Sequence, residues 1–124
     1  AVSDAMTIWE VPCNLYARNG ATVFFSALKE NSDFFVPFTF KAVPGLDQND
    51  RFDILNARVI PETAEITSYN FDSPANDCGI YEKHQIRAVE GEALEMFLVE
   101  YREKFDCDGV ETEPENFPLV YSAR

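Results

Sequence analysis

A chain of 124 residues with 46% hydrophobic and 26% charged residues has the length of one domain and enough apolar side chains to bury a core, which excludes intrinsic disorder. A net charge of −12 repels phosphates and anionic lipid, so no nucleic-acid partner is expected; no apolar run reaches the roughly 18 residues of a membrane-spanning helix, so no membrane span is expected either. Ala1 to Ala5 lack the basic and apolar pattern of a secretory or transit signal, which fits a processed chain and a leaderless one equally.

In chain order, Met6 to Val11, carrying Trp9, reads as a first strand, and Asn19-Gly20 as a turn. Thr22 to Lys29 is rich in β-branched and aromatic residues. Phe34 to Ala42 sets Phe34, Val36, Phe38, Phe40 and Ala42 against Phe35, Pro37, Thr39 and Lys41, the two-residue period of a strand. Glu30-Asn31-Ser32-Asp33 between the two runs has turn chemistry, so a hairpin is expected, and Pro37, without a backbone donor, places its second strand at a sheet edge or a bulge. Pro44-Gly45 opens a polar loop through Asp50. Phe52 to Ile60 reads as a strand stopped by Pro61, and Ala64 to Phe71 as another, with Glu65, Thr67, Tyr69 and Phe71 on one face and Ile66, Ser68 and Asn70 on the other. A loop from Asp72 to Asp77 then precedes the strand Ile80 to Val89.

Glu92 to Asp106 admits two readings. Leu94, Phe97, Leu98, Tyr101 and Phe105 match a helical face, whereas Met96 and Val99 fall off it. If Glu90-Gly91-Glu92 is instead a turn, Ile80 to Val89 and the following run form a long hairpin centred near Gly91. That hairpin brings Cys78 and Cys107 together at its open end, within reach of a disulfide, a coincidence the helix does not provide. Asp108-Gly109 is a further turn, Glu111 to Glu115 a charged loop around Pro114, and Pro118 to Ser122 a last strand. The expectation is one mainly β domain over 1–124, an antiparallel β-sandwich or small barrel of seven or eight strands; an α+β fold with one helix at 92–106 is the alternative.

The cysteines show no zinc-ligand spacing with the single histidine, and Cys13, beside Pro12 and between Trp9 and Tyr16, is expected as a buried thiol. His84 lies between Lys83 and Gln85 with no nucleophile at motif spacing; a partly exposed strand histidine is expected. With no phosphate-binding loop, His-Glu-x-x-His or Gly-x-Ser-x-Gly pattern, no enzymatic activity and no cofactor are expected. Two acidic loops, Asp47, Asp50 and Asp53, and Asp106, Asp108, Glu111, Glu113 and Glu115, have the composition of hard-cation sites without the spaced calcium-loop pattern. Solvated turns are the favoured reading, and calcium at Asp106, Asp108 and Glu111 is the better of the two metal options.

From Glu90 to Glu115 ten acidic residues face only Arg102 and Lys104, so one pole of the molecule is acidic. The doubled Phe24-Phe25 and Phe34-Phe35 place rings on both faces of their strands. These features suggest a secreted, non-enzymatic binding domain that meets a protein partner or a basic surface. Its contacts would be an aromatic edge at Phe34, Phe35 and Phe38, or the acidic loop through Glu111 and Glu113. The rivals are a cytoplasmic or virion-type assembly protein, oligomeric through exposed phenylalanines, and an acidic inhibitor that occupies a basic cleft.

Overall fold

The computed structural model describes residues 6–15, 20–28, 31–41, 43, 51–72, 75–88 and 94–123. Within them lie nine strands: β1 (Met6–Leu15), β2 (Gly20–Leu28), β3 (Asn31–Pro37), β4 (Asp53–Leu55), β5 (Arg58–Ile60), β6 (Glu65–Phe71), β7 (Gly79–Ala88), β8 (Leu94–Lys104) and β9 (Leu119–Ser122). A 3₁₀ turn spans Pro114–Asn116. Every pairing is antiparallel. In the first sheet β2 is central, with β1 on one side; β3 and β4 share the other, opposite Phe25–Leu28 and Ala21–Val23 respectively. The second sheet is a meander in the order β5-β6-β7-β8-β9. Neither sheet closes into a barrel, and the arrangement fits a β-sandwich.

The run expected as one strand from Phe52 to Ile60 is two short strands in different sheets, because the chain turns a corner at Asn56. Its φ of 49° lies in the left-handed region, which asparagine tolerates better than most residues. Asn56 fastens the corner to both sheets: its amide nitrogen donates to the Gly20 carbonyl at 2.8 Å, and its side-chain Nδ2 donates to the Tyr69 carbonyl at 3.0 Å. Ser68 Oγ adds a bond to the Leu55 carbonyl at 2.7 Å.

The run Phe34 to Ala42 is also shorter than its alternation suggested. β3 ends at Pro37, on the edge position that proline predicted, and the chain then dips inward. Phe38 donates its N–H to the Phe24 carbonyl, and Phe40 exchanges both backbone bonds with Arg51. Ala42 lies outside the described residues.

The main core joins Phe24, Phe38, Phe40 and Ile54 to Ile66 of β6, Ile86 of β7 and Met96 of β8. A second cluster packs Val43, Leu98 and Tyr101 with Ile80 and Tyr121. Residues 94–104 are strand, so the helix alternative is overturned, and the mismatch of Met96 and Val99 with a helical face has a structural cause. Met96 and Leu98 alternate inward opposite Ile86 and His84, and the register then slips between Lys83, opposite Glu100, and His84, opposite Leu98. Val99 is the extra residue of this bulge and is buried. Strands β7 and β8 pair as the expected hairpin, with Ala88 opposite Leu94 and the turn between them outside the described residues, and the open end carries the Cys78–Cys107 disulfide, Cα atoms 5.0 Å apart.

Candidate binding cleft

On the outward face of the second sheet the register sets residues in rows across the strands. One row runs Arg58, Thr67, Lys83, Glu100 and Ser122; the next runs Tyr69, Tyr81, Arg102 and Leu119. The segment between β8 and β9 folds back along this face, because several bonds hold it there. The disulfide fixes Cys107 to Cys78, Gly109 N–H donates to Asp77 Oδ2 at 2.6 Å, and Thr112 N–H donates to the Asn76 carbonyl at 3.0 Å. Lys104 Nζ reaches both Asp108 Oδ1 at 2.9 Å and Thr112 Oγ1 at 3.2 Å. Farther along, Phe117 is completely buried, its ring edge-on to Phe71 at 6.2 Å, and Arg102 Nη1 donates to its carbonyl at 3.0 Å.

Between loop and sheet lies a half-open cleft of about 590 Å³, lined by Arg58, Thr67, Tyr69 and Lys83 on the strands and by Glu111, Thr112, Glu113 and Glu115 on the loop, among others. Arg58, Lys83, Glu111, Glu113 and Glu115 make no side-chain ion pair or hydrogen bond among the described residues. Cations therefore stand on the floor and anions on the wall without neutralising one another. Tyr69 presents a ring that is 37% exposed, packed edge-on against Phe71 at 5.4 Å. Burial, then the charges of Glu100 and Glu115, push the Tyr81 phenol above its ordinary range, so it stays a neutral hydroxyl at physiological pH.

The residues expected to form sites fall in different places. Glu111 and Glu113 line the cleft. Phe34 and Phe35 lie in β3, on the edge of the first sheet, with side chains outside the described residues. Phe38 is 4% exposed and belongs to the core, so it is no part of an exposed aromatic edge; the inward dip after Pro37 carries it there. Asp106, Asp108 and Glu111 are all exposed, and the structure does not gather them into a cation site. Asp108 is instead held by Lys104 and by the Val110 N–H, which keep its carboxyl below the ordinary range. Asp47 and Asp50 lie outside the described residues, and Asp53 pairs with Val23 in β4. Asp77, Cys78 and Cys107 do come together, but both sulfurs are committed to the disulfide. Cys13 sits where β1 slips register between Pro12 and Asn14; its side chain is outside the described residues.

His84 is fully buried rather than partly exposed, because the alternation of β7 aims it between the sheets with Ile86. Its Nε2 lies 3.0 Å from Glu82 Oε1, which also accepts from Arg51 Nη2 at 2.6 Å, and its ring meets Phe40 edge-on at 4.9 Å. Burial pushes the Glu82 carboxyl up, but the His84 and Arg51 contacts outweigh it and leave the group below its ordinary range. This cluster has no nucleophile within it and reads as a polar tie between the sheets.

Sequence reasoning missed Arg58, Thr67, Tyr69 and Lys83 as a set. The period-2 pattern did assign Thr67 and Tyr69 to one face of β6; joining them to Lys83 and Arg58 required the strand register. Comparison with protein-family models, curated proteins and solved structures returned no match to this chain.

Proposed function

We propose that this protein is a secreted, non-enzymatic binding domain whose partner is engaged in the cleft beneath the acidic loop. The observation that carries the reading is the cleft itself, where five charges without a partner among the described residues and an exposed tyrosine converge on a paired sheet under a covalently fastened wall. Charged side chains left unpaired in a concave, preorganised site are groups available to a ligand. A disulfide between a buried and an exposed cysteine supports an oxidising compartment.

Partner screening of the immobilised protein against arrays of extracellular proteins and glycans tests this reading, with three variants run alongside. Arg58→Glu and Glu113→Lys reverse charges inside the cleft, while Phe52→Ser changes an exposed residue that is not among those lining it. Binding that both cleft variants abolish and Phe52→Ser retains supports the reading. A partner indifferent to both cleft variants would place the functional surface elsewhere.

A further inference from the structure

The charges of the cleft identify the class of ligand, an inference that rests on the cleft being the binding site. A polyanion would meet Arg58 and Lys83 but be repelled by Glu111, Glu113 and Glu115; a basic peptide faces the opposite conflict. A hydroxyl group is both donor and acceptor, so a neutral polyol satisfies both sets at once, accepting from the floor cations and donating to the wall carboxylates. Hydrogen bonds to ionised partners are about twice as strong as neutral ones, which lets an uncharged ligand compete with water. The Tyr69 ring supplies a flat surface of negative potential on which the C–H face of a pyranose can lie.

We infer that the cleft binds a neutral oligosaccharide, with Tyr69 as the stacking platform, Arg58 and Lys83 as donors and Glu111, Glu113 and Glu115 as acceptors. The floor is built on paired strands and the wall is held by the Cys78–Cys107 bond, so the polar groups are ordered before the ligand arrives. A volume of about 590 Å³ falls within the range of small-ligand sites, which matches a short segment of a glycan chain. Tyr81 also lines the cleft, and its phenol is protonated at physiological pH and so offers an O–H as a further donor.

The test is titration of the ¹⁵N-labelled protein, followed by amide chemical shifts, with cellohexaose, chitohexaose, maltohexaose, xylohexaose and mannohexaose, and separately with hexalysine. The expected result is that at least one sugar moves the Thr67, Tyr69, Lys83 and Thr112 amides. Its affinity should change less than about twofold between roughly 50 and 300 mM NaCl, as befits an uncharged ligand. Tyr69→Ala should weaken it by about tenfold or more, while Tyr69→Phe, which keeps the ring, should stay within about threefold. Lys83→Met, an exchange on the outward face, checks the donor role independently of the ring and should also weaken binding. Hexalysine alone shifting these amides, with steep salt dependence, would overturn the sugar assignment while keeping the cleft as the binding site. No response at the cleft to any of the six probes would overturn the sugar assignment and count against the cleft as well.

Discussion

Replacing Cys78 and Cys107 together by alanine removes a cross-link between residues 29 apart in sequence. The effect falls mainly on the unfolded chain. In the folded protein the 105–113 segment keeps its Asp77–Gly109, Asn76–Thr112 and Lys104–Asp108 contacts, so the native arrangement has other support. In the unfolded chain a closed loop of this length is opened, and the loop-entropy relation gives about 12 cal/mol/K, or about 3.6 kcal/mol at 25 °C. A domain of this size has roughly 5–15 kcal/mol in total, so the variant should fold with a much reduced margin. Urea unfolding monitored by tryptophan fluorescence should show a lower midpoint together with a somewhat larger m-value, since the uncross-linked chain exposes more surface. A loss below about 1 kcal/mol with an unchanged m-value would refute the reasoning, because the unfolded chain would then not be the state the bond constrains.

Phe40→Ala, which empties a fully buried position touching Phe24 and His84, should cost about 3–5 kcal/mol in the same urea assay. The two glycines of known positive φ should part company: a Cβ on Gly79 would sit 1.8 Å from the Asn70 backbone oxygen, whereas nothing lies within 4 Å of one on Gly109. Gly79→Ala should therefore prevent folding or cost more than about 4 kcal/mol, and Gly109→Ala only the left-handed strain of about 1–2 kcal/mol, read from thermal midpoints. Because Glu82 is depressed in the folded state, the stability it contributes is complete above its unfolded value of 4.5 and is lost as pH falls through its lower folded value. Urea midpoints measured at successive pH values below about 4.5 should fall more steeply for the native protein than for Glu82→Gln. Arg51→Met, which removes one partner of a buried carboxylate through a side chain 46% exposed, should cost about 1–2 kcal/mol at neutral pH.

Much of the architecture was written in local pattern. The alternation of Phe34 to Phe40 marked a strand, though one that ends at Pro37, and the loop chemistry around Gly91 with the spacing of Cys78 from Cys107 pointed to a long hairpin and its disulfide while leaving a helix at 92–106 open. What escaped the sequence depended on choices among neighbours distant in the chain. The break at Asn56 is invisible in an apolar run because it exists to meet Gly20 and Tyr69. His84 shares its strand face with Ile86 and with Glu82, whose charge disguised that face as a solvated one; in the structure Glu82 is itself buried and meets both His84 and Arg51. Half of the cleft was legible as an acidic loop; the floor beneath it required the register of β5, β6 and β7.

The two sheets also differ in how far apart their partners lie along the chain. Each strand of the β5–β9 meander bonds to its immediate successor, whereas β4 must travel back past β3 to join β2, bringing Leu55 opposite Ala21. Short separations are closed quickly and long ones slowly, so the meander is suited to nucleate and the β2–β4 seam to lock last. Synthesis runs against this order, since β1, β2 and β3 emerge first with the inward face of Phe24 uncovered until Ile66, Ile86 and Met96 follow. The nascent chain therefore passes through an interval in which a sticky half-sandwich waits for its cover, and expression yield should respond to translation speed and chaperone supply more than native stability alone would suggest.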